Sequence, residues 1–157
     1  MTENASYPQT VLIVDDDAAI VQLVGYWLAR AWPGHVPHLV HATTLREALE
    51  CLQDASMTPP IDAMIVDCRL VDSVGLHAAT MLIEAMDPSR APIPAIVLTG
   101  TMSENDQFPA LRQGVQAFLC KGRVDLRTRL PEALREGWER HRFWEERFNV
   151  LRKPRRA

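Results

Sequence analysis

Short apolar runs alternate with longer segments of helical periodicity over the first 120 residues of the chain. The runs span residues 11–14, 36–40, 63–66, 95–98 and 116–120. Such alternation is typical of repeated βα units, in which helices cover both faces of a parallel sheet. The pattern therefore predicts an α/β domain built around five parallel strands.

The segments between the runs carry signals for helix starts. In the first, apolar residues recur at spacings of three and four, and Asp16 or Asp17 stands where the N-cap belongs. The second begins with Thr44 and has Glu47 three residues later, which is a capping-box pattern. Further helices are predicted over about residues 76–86 and around residues 110–113.

The last helical pattern is longer than a helix that crosses the sheet requires. Leucines and aromatic residues recur between residues 126 and 151, which predicts one helix of about 20 to 26 residues. About three or four turns suffice to cross five strands, so we expect the second half to project beyond the sheet. Its apolar stripe would pair with a second copy or dock on another protein, through Trp138, Trp144, Phe148 and Leu151. The alternative is a helix that folds back over the body.

Polar residues follow the predicted strands at the point where each strand ends. Aspartates 15, 16 and 17 follow the first run, and Asp67, Thr99 and Lys121 follow the third, fourth and fifth. Because the carboxyl ends of parallel strands share one edge of the sheet, these groups should converge there. Crowded carboxylates repel unless a cation neutralises them, and oxygen ligands suit Mg²⁺. The sequence therefore predicts a divalent metal site.

The same groups suit phosphoryl transfer onto a carboxylate. One aspartate attacks phosphorus, while a lysine and a threonine hydroxyl hold the remaining oxygens. Asp67 is the best nucleophile, because it stands alone after the predicted central strand while the aspartate run can hold the metal.

Four motifs together resemble the receiver domain of two-component response regulators. They are V-L-I-V-D-D-D at 11–17, M-I-V-D-C-R-L-V-D-S-V-G at 64–75, I-V-L-T-G at 96–100 and A-F-L-C-K-G at 117–122. The resemblance covers roughly residues 9–137 and leaves residues 138–157 as a C-terminal helical extension with a basic tail. It implies a flavodoxin-like (βα)5 fold, a doubly wound parallel sheet with strand order 2-1-3-4-5 and an elongated last helix.

The resemblance also implies a phosphoacceptor that uses Mg²⁺. Asp67 matches the residue that takes a phosphoryl group from a sensor histidine kinase or a phosphotransfer protein. Asp15 and Asp16 match the acidic pair that holds Mg²⁺ together with Asp67, and the backbone carbonyl of Arg69 completes the coordination.

Three further positions match residues that respond to phosphorylation in the family. Thr99 and Lys121 match the groups that bind the phosphoryl oxygens, and Phe118 matches the aromatic switch residue that then moves inward. The resemblance implies that the surface of the fourth helix, fifth strand and last helix changes shape for a downstream protein or a homodimer.

Three positions depart from the family pattern. Val71 stands where a proline usually lies four residues after the phosphoacceptor, and Gly122 replaces the proline that usually follows the lysine. Gly100 stands where a small residue, often alanine, is common, which is compatible with access to the phosphoryl group. None of these removes a group that the chemistry needs, so we expect phosphorylation to be retained.

Composition excludes several other classes. The 157 residues are 47% hydrophobic, enough for one buried core, and no apolar run approaches the roughly 18 residues of a membrane span. The N-terminus lacks the pattern of a secretory signal, and the three cysteines show no CxxC spacing, so we expect a cytoplasmic protein with free thiols.

Net charge is −9 over residues 1–120 and +6 over residues 121–157. A basic end can meet nucleic acid, but we do not expect nucleic acid as a partner.

Other functions remain to be distinguished from a phosphoacceptor. A pseudo-receiver would bind partners without being phosphorylated, although the intact aspartates, threonine and lysine argue against it. A phosphohydrolase would need a second acid two residues after the nucleophile, and that position is Arg69. We therefore expect a signalling domain and not an enzyme, with at most self-catalysed phosphotransfer and slow autodephosphorylation.

Overall fold

A five-stranded parallel sheet forms the centre of the molecule. The computed structural model describes residues 7–54, 56–57, 59–86, 92–100, 114–122 and 124–152; for Val74 and residues 148–152 it describes the backbone. The sheet strands are β1 (Thr10–Val14), β2 (His38–Ala42), β3 (Ala63–Asp67), β6 (Ala95–Thr99) and β7 (Ala117–Cys120). Their spatial order is β2-β1-β3-β6-β7, and every neighbouring pair is parallel. This is the predicted order 2-1-3-4-5 of a doubly wound fold.

The second strand begins two residues later than predicted. Pro37 has no N–H to donate, and pairing with the first strand begins where the His38 N–H donates to the carbonyl of Gln9 at 2.8 Å. Val36, the first residue of the predicted strand, is 80% exposed.

Helices cover both faces of this sheet. They are α1 (Ala18–Ala31), α2 (Leu45–Gln53), α3 (His77–Glu84) and α4 (Leu126–Arg152). Asp17 is the N-cap of α1, and its carboxylate accepts a hydrogen bond from the Ala19 N–H. The predicted helix around residues 110–113 lies outside the described residues.

Two core layers flank the sheet because its side chains alternate between the faces. Along β1, Val11 and Ile13 pack with α1 and α4, whereas Leu12 and Val14 pack with α2 and α3. All five residues of β1, β3 and β6 are buried, as expected for parallel strands covered on both sides.

A small antiparallel hairpin was not predicted. It consists of β4 (Arg69–Leu70) and β5 (Ser73–Val74), joined by Val71 and Asp72, and it follows β3 directly. Two-residue strands are too short to leave a period in the sequence, so the alternation that predicted the sheet could not predict this pair.

The long helix α4 divides into a packed half and a projecting half. Leu130 and Leu134 are fully buried against the sheet, whereas Phe143 and Trp144 are each 50% exposed. Gly137 allows the close approach of the packed half, since a Cβ atom there would lie 2.6 Å from Pro94 Cβ. Within the described residues, no helix is both long and apolar enough to cross a bilayer.

Candidate functional site at the carboxyl edge of the sheet

Three carboxylates meet at the carboxyl edge of the sheet. Asp67 ends β3, and Asp15 and Asp16 directly follow β1, its neighbour in the sheet. One oxygen of each carboxylate lies within 4.8 Å of the others. Asp15 and Asp67 are buried, at 2% and 7% exposure, and Asp16 is exposed. The predicted convergence is therefore present.

The two oxygens of Asp15 differ in their hydrogen bonds. Its Oδ1 accepts a hydrogen bond from the Asp17 N–H at 2.9 Å. Its Oδ2 is buried and accepts no hydrogen bond from any residue that the structure describes. Burial raises the pKa of this carboxyl, the Asp17 N–H and Lys121 lower it, and the charges of Asp67 and Asp16 raise it further. Asp15 Oδ2 is thus a buried acceptor without a hydrogen-bond donor among the described residues.

Lys121 lies between the two buried carboxylates. It directly follows β7, and its Nζ is 3.5 Å from Asp15 Oδ2 and 3.4 Å from Asp67 Oδ2. About a third of the Lys121 side chain is exposed. One ammonium therefore partly neutralises both carboxylates from the solvent side.

Asp67 uses its two oxygens differently. Oδ1 accepts a hydrogen bond from the Arg69 N–H at 3.1 Å, and Oδ2 faces the Lys121 ammonium. The backbone contact sets the rotation of the carboxylate, and its other oxygen faces a cation.

Thr99 and Phe118 lie on the two strands beyond Asp67. Thr99 ends β6 and is buried, and its carbonyl accepts a hydrogen bond from the Lys121 N–H at 2.6 Å. Phe118 in β7 is partly buried and packs against the core layer of α2 and α3. Their assigned roles in binding and switching stay predictions.

The donor set fits Mg²⁺. All three converging groups are carboxylates, and one of their buried oxygens lacks a hydrogen bond among the described residues. A hard divalent cation would satisfy that oxygen and offset the repulsion among the three charges. The Arg69 carbonyl belongs to the same loop as Asp67 and stays a predicted ligand.

Gly122 explains one departure from the family pattern. Its φ of +87° lies in the left-handed region, which proline cannot adopt because its ring fixes φ near −65°. The glycine therefore follows from the backbone turn after Lys121.

On the projecting half of α4, the predicted surface is present in part. Trp144 is half-exposed, and Trp138 is partly buried and stacks on His141 with ring centroids 5.3 Å apart. The side chains of Phe148 and Leu151 lie outside the described residues. Phe143 was missed: its ring makes an edge contact with Trp144 at 5.7 Å, and its place beside Trp144 in the sequence was the available signal.

Known proteins resemble this chain in sequence and in structure. Residues 11–131 match the family model of the response regulator receiver domain. No curated protein matches the sequence.

Three solved structures show the same fold. The signal receiver domain of a putative LuxO repressor protein from Vibrio parahaemolyticus has a TM-score of 0.71 at 20% identity, with 94% of this chain and 99% of that chain covered. A CheY-like receiver domain protein from Methanospirillum hungatei JF-1 has a TM-score of 0.68 at 23% identity, with 86% and 97% covered. The Mn²⁺-bound form of response regulator Rcp1 has a TM-score of 0.60 at 23% identity, with 88% and 96% covered.

Proposed function

Because this chain belongs to the response regulator receiver domain family of two-component signalling, we propose that Asp67 is its phosphoacceptor. The phosphoryl group would come from a sensor histidine kinase or a phosphotransfer protein. The observation that carries this proposal is the contact of Lys121 Nζ with Asp67 Oδ2, beside two further carboxylates. An attacking carboxylate, a cation for the incoming anion and an oxygen-rich metal site thus share one edge.

The transfer forms an acyl phosphate. An Asp67 oxygen attacks phosphorus, and the bond between phosphorus and the donor histidine nitrogen breaks, leaving its electron pair on the imidazole. Lys121 binds a phosphoryl oxygen and loses its close contact with Asp67 Oδ2. Thr99 donates its hydroxyl to another phosphoryl oxygen, and the space it vacates admits Phe118.

Three carboxylates would hold Mg²⁺, those of Asp15, Asp16 and Asp67, together with the Arg69 carbonyl. When bound, Mg²⁺ supplies positive charge against the phosphoryl oxygens. The similar Rcp1 structure is a Mn²⁺-bound form, which supports a divalent ion as a ligand of this chain. Asp15 Oδ2 would be available as a ligand, because Oδ1 already accepts the Asp17 N–H.

The last helix would bind the partner that receives the signal. We assign residues 9–137 to the receiver and residues 138–157 to an extension, whose first turn still contacts the body where His141 Nδ1 lies 3.0 Å from the Pro92 carbonyl. Beyond it, the exposed rings of Phe143 and Trp144 offer a surface for a downstream protein or a homodimer. The setting consistent with these partners is the cytoplasm.

Intact mass tests the acceptor. The native protein incubated with Mg²⁺ and acetyl phosphate should gain the mass of one phosphoryl group, and Asp67→Asn should gain none. Asp54→Asn is the matched control, because Asp54 is an exposed carboxylate at the far end of α2 and should leave the adduct unchanged.

Light scattering on the same samples tests the output. A change of mass class with phosphorylation in the native protein supports dimerisation through α4. An adduct that persists in Asp67→Asn, or none in the native protein, contradicts the acceptor and favours the partner-binding pseudo-receiver.

A further inference from the structure

We propose that Asp72 is a positioning residue for Asp67, holding the hairpin of β4 and β5 against the N-terminus of α2. This inference rests on the proposed function and adds a residue for which no role was predicted. Asp72 lies in the turn of the hairpin, five residues after Asp67 and 27 residues after the first residue of α2.

Asp72 accepts hydrogen bonds from two backbone N–H groups in the first turn of α2. A helix begins with four N–H groups that lack partners within the helix. Asp72 Oδ1 accepts from the Leu45 N–H at 2.9 Å, and Oδ2 accepts from the Arg46 N–H at 3.1 Å. The Glu47 N–H is paired with Thr44 Oγ1, and the Ala48 N–H makes the first hydrogen bond of the helix, to the Thr44 carbonyl.

The charge of Asp72 suits this place. The first turn of a helix carries a partial positive charge, which favours a carboxylate. The same N–H groups, with that of Leu45 first, hold the pKa of Asp72 below its usual value. Asp72 therefore stays ionised at neutral pH and links the hairpin to α2 with two charge-assisted bonds.

The hairpin connects Asp72 to Asp67. Arg69 opens β4 and donates its N–H to Asp67 Oδ1, while the base of the loop is closed by the Gly75 N–H on the Cys68 carbonyl at 3.0 Å. Leu70 pairs with Ser73 across the hairpin and is buried. The loop is therefore fixed at its base, along its strands and, through Asp72, at its tip.

Loss of the tip contact would free the loop to shift relative to α2. The Arg69 N–H would then hold Asp67 Oδ1 less firmly, and Asp67 Oδ2 would face Lys121 for a smaller fraction of the time. Mutation of a group that hydrogen-bonds a metal ligand lowers metal affinity or activity about 10- to 100-fold, and Asp72 acts one contact further away, so we expect an effect at the lower end. Val71 stands where the family pattern has a proline, and valine does not fix φ as proline does. The contacts of Asp72 therefore orient this turn.

The test measures the rate of phosphorylation of Asp67 by acetyl phosphate in three variants. Asp72→Ala removes both acceptors and should slow phosphorylation about tenfold. Asp72→Asn keeps one carbonyl oxygen and should slow it only about threefold, the equivalent of one neutral hydrogen bond. Asp54→Ala is the control, because Asp54 accepts the Ser56 N–H at the other end of the same helix without touching the loop.

An amide signal reports the position of the loop directly. In ¹H–¹⁵N spectra of the unphosphorylated protein, the Arg69 amide proton should move upfield in Asp72→Ala as its bond to Asp67 lengthens. It should stay in place in Asp54→Ala. A uniform loss of folding would move many signals equally, whereas a positioning role moves those of the hairpin and the first turn of α2.

The outcomes separate this inference from the proposed function. A native phosphorylation rate in Asp72→Ala, an equal loss in Asp54→Ala, or an unmoved Arg69 amide would overturn the positioning role. Should the native protein form no adduct, the phosphoacceptor proposal fails, and the Arg69 amide alone decides whether Asp72 positions the loop. If Asp72→Ala does not fold, a native rate together with an unmoved Arg69 amide in Asp72→Asn contradicts the proposal.

Discussion

Asp15 and Asp62 are carboxylates at opposite edges of the sheet, and they differ in how their oxygens are paired. Asp62 precedes β3 at the amino edge, where its oxygens accept the N–H groups of Gln9 at 2.9 Å and Thr10 at 3.0 Å. Asp15 follows β1 at the carboxyl edge, and one of its buried oxygens accepts no hydrogen bond from the described residues. Burial raises the pKa of both carboxyls.

The comparison shows that burial and a raised pKa do not by themselves identify a functional carboxylate. Asp62 is satisfied by backbone donors, so it fastens the start of β1 to β3. Asp15 Oδ2 accepts no hydrogen bond among the described residues, and it lies beside two more carboxylates and the Lys121 ammonium. The unsatisfied oxygen, not the burial, distinguishes the site from the structural contact.

The largest expected effect on stability comes from the amino edge. Asp62→Ala leaves the N–H groups of Gln9 and Thr10 without their acceptors, and Thr10 is fully buried. We expect a loss of about 3 kcal/mol in the free energy of unfolding, which thermal melting would record as roughly 6–12 °C. The folded fraction should be phosphorylated at the native rate.

Asp54→Ala is the control for this prediction, because its carboxylate also accepts a backbone N–H but is exposed. A similar loss in the free energy of unfolding in both variants would mean that the Asp62 contacts stabilise the fold no more than an exposed hydrogen bond does. The proposed structural role of Asp62 at the amino edge would then be wrong.

A somewhat smaller effect is expected at Gly137, also near the amino edge. Alanine is favoured over glycine in a helix by about 1 kcal/mol, yet its Cβ would lie 2.6 Å from Pro94 Cβ and 2.9 Å from Gln116 Cγ. Because the proline cannot move aside, we expect Gly137→Ala to destabilise the protein by about 2 kcal/mol in urea unfolding.

Gly25→Ala in α1 is the matched control. There the new Cβ would meet only the end of the Leu39 side chain, at 3.2 Å. This variant should lose less stability than Gly137→Ala, and the reverse order would show that helix propensity outweighs the packing of α4.

The smallest effect, of opposite sign, is expected at Asp15. Its pKa is raised above the ordinary value of 3.8 in the folded protein, so the folded state binds more protons than the unfolded state just above that pH. The stability that Asp15 contributes is present below pH 3.8 and is lost as the pH rises through the folded pKa. Asp15→Asn mimics the neutral form and should therefore be more stable than the native protein at neutral pH without Mg²⁺.

Melting curves from pH 3.5 to pH 7 would show this as a gap that widens with pH. Added Mg²⁺ should raise the melting temperature of the native protein and of Asp62→Asn, but not that of Asp15→Asn. Equal responses of all three proteins would contradict the assignment of Asp15 as a metal ligand.

Local signals in the sequence were sufficient for the sheet and for most of the site. The apolar runs of β1, β3 and β6 predicted buried strands because a parallel strand is covered on both faces. Residues just after those strands converge because parallel strands end at one edge, which is why Asp15, Asp67 and Lys121 could be named in advance. The start of β2 was misplaced because apolar character outweighed Pro37 in that prediction.

Tertiary structure decided the contacts between segments far apart in the chain. The sequence by itself determined the fold class, the strand order through the family motifs, and the groups present at the carboxyl edge. Only the folded chain shows that Lys121 contacts both buried carboxylates, that Asp72 pairs with the start of α2, and that Gly137 fits against Pro94. The physical reason is that periodicity and capping act over a few residues, whereas these distances depend on how whole helices and loops pack against the sheet.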